Sequence, residues 1–181
     1  MKKINKSRFA IFGLLLEKPR SGYSMLQMMQ QSTNHFWQEY DASIYPMLKT
    51  LEAEGKVTAT RELVGKRERT IFEITQSGKY EFLSWMAKPA EEESRRSELL
   101  LKVFFAAHVP TEEIIQQLAL HQQKAHEEKK QFKSIEENIL SPISDKCEHK
   151  KFWIMTLRYG ILHADAELKW IDECIKILGK K

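Results

Sequence analysis

Tyr45 and Lys49 stand four apart in DASIYPMLKTLEAEGKV (residues 41–57), and Lys66, Arg67 and Arg69 crowd the short run GKRER that starts at Gly65. Residues four apart on a helix share a face, so the phenol and the ammonium would be offered together. Ammonium and guanidinium groups neutralise phosphates, and a tyrosine hydroxyl can bond phosphate oxygens or base edges. Tyr23, in SGYSML, adds a second phenol that could bond a phosphate or fill a core. Competing readings are a solvated helix face for Tyr45 and Lys49, and an ordinary hairpin tip for Gly65, Lys66 and Arg67.

Catalysis has no comparable support. The chain carries no phosphate-cradling glycine loop, no nucleophile elbow and no His-Glu-x-x-His sequence, so no enzyme is expected. Cys147-Glu-His149 is too tightly spaced for a usual zinc pair, and His121 and His126 are not four apart. Neither a metal nor a cofactor is expected.

The elements that must position the basic and aromatic groups follow from Pro46. Proline is disfavoured inside a helix but harmless in the first turn, whose donors have no intrahelical partner. The sequence therefore predicts a helix that begins at Ser43, capped by its hydroxyl, with Pro46 in its first turn. Gly55 ends it, as a residue that accepts the left-handed conformation. Ile44, Leu48 and Leu51 form its buried face, and Tyr45, Lys49 and Glu52 point elsewhere. Before it come a helix over residues 9–16, stopped near Pro19, and a helix capped by Ser21 with Tyr23, Leu26 and Met29 on one face. After it, residues 57–63 and 69–75 read as strands joined by a turn over 64–68. Thr75 then caps a helix through Tyr80, Phe82, Leu83 and Met86.

Three helices followed by strand, turn and strand is the order of a winged helix-turn-helix. In that module the third helix enters the major groove leading with its N-terminal end. The partner is then double-stranded DNA. Ser43, Tyr45, Pro46 and Lys49 would meet the groove, and the Gly65 hairpin with Lys66, Arg67 and Arg69 would grip phosphate or the adjacent minor groove. Arg61 lies at a nearby strand position. Lys2, Lys3, Lys6 and Arg8 read either as a phosphate-binding arm or as a frayed basic tail.

LLLEKPRSGYSML, HFWQEYDASIYPMLKTLEAEGKV and GKRERTIFEITQSGKYEFLSWM, with the spacing between them, resemble the PadR family of bacterial transcriptional regulators. The resemblance covers the first half. It implies a sequence-specific DNA-binding regulator, and a repressor by the usual sign of such proteins. Two departures stand out: Asp41-Ala42 where many relatives have a glycine, and Phe72 where a tyrosine is usual. The first bears on how the third helix begins, the second on packing.

A polar run over residues 88–94 separates this half, residues 1–87, from residues 94–181. The second half reads as helices and is similar to the family branch with a long C-terminal dimerisation domain. The whole is mainly α with a small β-hairpin wing: an N-terminal winged helix-turn-helix plus a C-terminal helical dimerisation domain. From about residue 148 to 179, Trp153, Leu157, Ile161, Ala164, Leu168, Ile171, Ile175 and Leu178 form one stripe. Phe152, Met155, Tyr159, Leu162, Ala166 and Trp170 form another. Two stripes mean burial on two sides, one on the chain itself and one on a second copy. The residues taken as dimer contacts are Leu99, Val103, Phe104, Trp153, Leu157, Ile161, Leu168, Ile171 and Ile175. Within residues 111–140, Leu118, Ala125, Phe132 and Ile139 recur every seven positions as a seam. Residues 94–108 read as a shorter apolar helix. Trp153, Tyr159 and Trp170 could line an aromatic pocket, though aromatic residues at helical spacing are more often core. A small aromatic effector is implied by the resemblance alone.

Composition agrees with these classes. The chain has 181 residues, 42% hydrophobic and 30% charged, enough for one or two domains with a real core. Its net charge of +4 sits wholly in residues 1–87, which points to a polyanion. Two cysteines without paired spacing fit a reducing cytoplasm. No apolar run approaches the roughly 20 residues of a membrane span. The basic, apolar start lacks the small residues of a cleavage site, so a cytoplasmic homodimer is expected. The rival classes are a protein-interaction module with a helical dimer and a winged head that binds no DNA, and an architectural protein that binds DNA without sequence choice. The sequence leaves open the operator, the regulated gene, the sign of regulation, the effector and any assembly beyond a dimer.

Overall fold

Phe9, Phe12 and Leu15 recur at helical spacing, and with Ile11 they bury one side of α1 (Ser7–Glu17). The computed structural model describes residues 5–33, 36–37, 41–64, 67–91 and 96–179. They divide into two compact units, Met1–Glu92 and Glu93–Lys181.

In the first unit, α2 (Gly22–Gln31) begins at a cap formed as expected: the Ser21 hydroxyl accepts from the Ser24 N–H at 3.2 Å. Its buried face is Gly22, Met25, Leu26 and Met29. Tyr23 is 62% exposed, so the expectation of a Tyr23–Leu26–Met29 face is corrected. The better apolar stripe runs through Met25, and the phenol is left in solvent. The helix α3 (Asp41–Ala53) starts two residues before Ser43, which therefore lies inside it rather than capping it. Pro46 consequently sits in the second turn, where it removes the donor that would meet the Ala42 carbonyl. The C-terminal end is as expected. Gly55 has φ +67°, the Lys56 N–H reaches the Leu51 carbonyl at 2.8 Å, and the Gly55 N–H reaches that of Glu52 at 2.9 Å. This pattern closes the last turn through a left-handed glycine.

The hairpin is longer than the sequence suggested. Strands β2 (Val57–Val64) and β3 (Arg67–Ile74) pair antiparallel through to Val64 opposite Arg67, so only residues 65 and 66 lie between them. A further strand was not anticipated: β1 (Arg20–Ser21) pairs with Phe72 and Ile71, giving a three-stranded sheet in the order β1-β3-β2. Two residues carry no readable alternation. Arg20 is held there by its Nε donating to the Leu14 carbonyl at 3.1 Å and by Glu17 at 2.5 Å. Thr75 caps α4 (Gln76–Met86) through the Gly78 N–H, as expected. Phe9 stacks on Trp85 with ring centroids 4.2 Å apart, tying α4 back to α1. The core is one cluster through α1, α2, α3, β2 and β3, in which Phe12, Met25, Leu48 and Leu51 are fully buried. Each such side chain contributes roughly 1.5–3 kcal/mol by leaving water.

In the second unit, α5 (Glu98–Phe104) is short. Ser97 caps it by accepting from the Leu100 N–H at 3.2 Å. The apolar helix expected from residue 94 begins later than that, and residues 94–95 lie outside the described residues. The long helices are α6 (Thr111–Ile135) and α7 (Lys150–Leu178), which pack on one another. Along α6 the seam holds at Leu118, Ala125 and Phe132 and then fails: Ile139 is 41% exposed and Leu140 is buried. The cause is a π-helical turn over Glu136–Leu140, where the Ser141 N–H reaches the Glu136 carbonyl at 2.9 Å. The wider turn holds one extra residue, so the next inward position comes eight after Phe132 rather than seven.

Candidate nucleic-acid interface

The α3 helix presents two faces of opposite character. Ile44, Leu48 and Leu51 are buried at 2%, 0% and 0% exposure, as the spacing predicted. Tyr45, Pro46, Lys49, Thr50 and Glu52 are exposed. The Tyr45 ring is not free on that surface, because one edge lies against the first residue of α2, Gly22. The Tyr23 hydroxyl, also in the first turn of α2, accepts from Gln27 Nε2 at 3.0 Å and keeps its own proton to donate.

The cations of this unit fall into two groups. Arg8 is held by Glu54 and by Glu81, the latter at 2.8 Å. Lys56 reaches Glu81 at 3.1 Å and Ser77 Oγ at 2.9 Å, and Lys6 reaches Glu91 at 2.9 Å. The half-buried pairs of Arg8 and Lys56 are spent on the fold, which takes Arg8 out of the expected phosphate-binding arm. The Lys6 pair is exposed and largely screened, and Lys2 and Lys3 lie outside the described residues. Lys49 and Arg69 are exposed, and among the described residues neither has an ion-pair partner, which is also true of Lys18, Lys79 and Lys88 away from α3 and the hairpin. Arg61 is loosely paired with Glu68 at 3.7 Å, both exposed. In an exposed pair of this kind the attraction is largely screened. Gly65 and Lys66 lie outside the described residues, as does the side chain of Arg67, whose backbone is in β3.

The residues expected to meet a second copy divide as well. Leu99, Leu157, Leu168 and Ile171 are buried against their own chain, and Val103, Ile161 and Ile175 are partly so. They make the α6–α7 core and are not a free surface. Phe104 at 79% exposure and Trp153 at 38% are open. The second stripe of α7 is the exposed one: Phe152, Met155, Tyr159 and Leu162 are each more than half exposed. Sequence spacing marked both stripes but could not say which one the chain uses for itself.

The aromatic trio does not form one pocket within the chain. Trp153 stacks on His149, Tyr159 is in solvent beside His163, and Trp170 packs on the Leu118–Ile171 cluster. At about 1.5 Å per residue, Trp153 and Trp170 are roughly 25 Å apart along α7.

Residues 11–84 match the Transcriptional regulator PadR-like family, and residues 95–179 match the family described as Virulence activator alpha C-term. Residues 11–84 thus carry a domain of the PadR-like family of transcriptional regulators. Its relatives are regulators rather than enzymes. It is 32% identical over 108 residues to the negative transcriptional regulator PadR of Bacillus subtilis, a match spanning 59% of this chain and 59% of that one. The structure of B. subtilis PadR in complex with operator DNA superimposes with a TM-score of 0.85 at 23% identity, covering 96% of this chain and 99% of that one. The same protein in complex with p-coumaric acid gives 0.81 at 21% identity, covering 97% and 100%. At those identities the likeness establishes the fold, a PadR-type winged helix with a long helical C-terminal part. Among the described residues no helix is long and apolar enough to cross a membrane.

Proposed function

We propose that this PadR-like regulator is a cytoplasmic homodimer that binds a palindromic operator through α3 and the β2–β3 hairpin and represses transcription. We further propose that a small aromatic molecule releases it. The observation that carries the DNA reading is where two uncommitted cations sit: Lys49 and Arg69 stand exposed on α3 and β3, while Arg8 and Lys56 are committed to carboxylates. Lys49 shares the open face of α3 with Tyr45 and Pro46, and Arg69 lies on the hairpin with Lys66 and Arg67. Ser43 belongs to α3, Gly65 follows β2 in the sequence, and Tyr23 lies at the start of α2. In a winged helix these are the elements that meet the groove and the backbone. Two recognition helices about one DNA turn apart need a dimer, and the exposed Phe152–Leu162 stripe of α7 is suited to making one. The repressor sign and the aromatic effector rest on the B. subtilis relative, a negative regulator that has been solved with p-coumaric acid.

The test is binding to DNA upstream of its own gene, as a salt series with random duplex as competitor. Specific binding should survive the competitor and weaken steeply with salt. Lys49→Ala and Arg69→Ala should each reduce the salt slope by roughly 0.9 per lost phosphate contact, while Lys6→Ala leaves it unchanged. Equal binding to both duplexes would make the protein architectural. Absence of binding at low salt would leave the winged head as a protein-interaction module. Titration with p-coumaric acid tests release.

A further inference from the structure

Gly22 opens α2 directly after the Ser21 cap and is itself buried. Its backbone does not require glycine: among the described residues only Gly55 has a positive φ. What glycine provides at this position is space. A Cβ built on Gly22 would lie 2.7 Å from Cε1 and 3.3 Å from Cδ1 of Tyr45, and 3.3 Å from Cδ1 of Leu48. Leu48 is fully buried, and Tyr45 is 48% exposed. One edge of the Tyr45 ring is therefore seated on the α2 backbone while the rest of the ring faces solvent.

We propose that Gly22 is a positioning residue for DNA recognition: its missing side chain lets one edge of the Tyr45 ring rest against α2, which fixes the direction in which the phenol leaves α3. This rests on the DNA-binding reading above. A ring held by one helix while mounted on another loses most of its rotamer freedom before contact, and such preorganisation raises affinity for the site whose contacts it fits without adding a contact. A Cβ at position 22 would push the ring off this seat and swing the hydroxyl away from its place on the recognition surface. The obstructed atom belongs to a side chain with a free outer edge, so the fold can absorb the change.

The experiment compares wild type, Gly22→Ala, Tyr45→Ala and the double variant. For each, thermal unfolding is recorded together with affinity for a duplex selected by the wild type from a randomised pool and for a random duplex. The expected result is that Gly22→Ala melts near the wild type and loses roughly tenfold in preference for the selected duplex, about the cost of a mismatched base pair. Affinity for random DNA stays unchanged. The double variant should discriminate no worse than Tyr45→Ala, because the glycine acts only through the ring. Wild-type discrimination by Gly22→Ala would overturn the proposal. So would a further loss in the double variant beyond Tyr45→Ala, or unfolding of both Gly22 variants, which would trace the effect to Leu48 and the core. Should Gly22→Ala alone melt early, relief by Tyr45→Ala confirms the ring as the occupant, and discrimination is read below that melt. A wild type that selects no sequence defeats the DNA reading itself and this inference with it, an outcome separate from failure of the variant.

Discussion

Among the described residues, thirteen buried apolar side chains from α1, α2, α3, β2 and β3 form one continuous cluster in the N-terminal unit. In the C-terminal unit four gather around Leu118 and Ile171 and three around Phe132 and Leu157. The difference follows from the elements available. Three helices and a sheet can surround a common centre, so the inner faces of α1, α2, α3, β2 and β3 meet within the unit, while Tyr80, Leu83 and Met86 of α4 stay exposed. Two long helices lying side by side can each bury only the stripe that faces the other. The apolar residues on the far side of α7 then have nothing within the described residues to cover them, and Phe104 and Phe105 of α5 pair with each other while still exposed. One unit closes around a single centre, and the other leaves an apolar stripe open along α7, the kind of surface that suits association.

The largest expected effect breaks that comparison directly. Met155→Asp with Tyr159→Asp places two charges in the open stripe of α7 without touching Leu157 or Ala164, which face inward. Self-association should weaken roughly 100-fold or more, as for loss of central interface anchors, read by sedimentation equilibrium. An unchanged assembly would mean that the stripe is not the contact. A smaller effect compares the two cores. Phe12→Ala empties the centre of the closed cluster and should cost about 3–5 kcal/mol in chemical unfolding. Gly160→Ala brings a Cβ to 2.6 Å from the Phe132 ring and should cost about 1–3 kcal/mol by overpacking. If the α6–α7 substitution proved the costlier, the C-terminal unit would be the tighter of the two. The smallest effect is acidic. The hydrogen bond and charge of Lys102 hold the Glu98 carboxyl below its ordinary range, and Lys150 does the same for Asp145. Carboxylates lowered in the folded state add stability above the ordinary carboxylate range, and that stability is lost as pH falls through their lowered values. Glu98→Gln with Asp145→Asn should flatten the acid limb of the C-terminal unit's melting profile slightly, since both side chains are exposed.

Where a residue's role is settled by its immediate neighbours along the chain, the sequence was legible. Ser21, Thr75 and Gly55 each announce a helix boundary, because a cap needs only a hydroxyl or a glycine at one position. The 3.6-residue spacing of Ile44, Leu48 and Leu51 identified the inner face of α3, and so its outer face with Tyr45 and Lys49. The start of α3 was misjudged because Ser43 is a good cap that the helix bypasses, beginning two residues earlier at Asp41. The commitment of Arg8 to Glu54 and Glu81 was invisible, since those partners lie 46 and 73 positions away. So was the seat of Tyr45 on Gly22.

The sequence by itself determined the main helices and the hairpin strands, the winged order of the first half and the two apolar stripes of the last helix. Those depend on periodicity and on short-range backbone chemistry, which are written locally. Only the tertiary structure decided which stripe α7 keeps for α6, where the π-helical turn moves the seam from Ile139 to Leu140, and which cations are spent on the fold. Each of these depends on which distant groups come within a few ångströms, and that is fixed by packing.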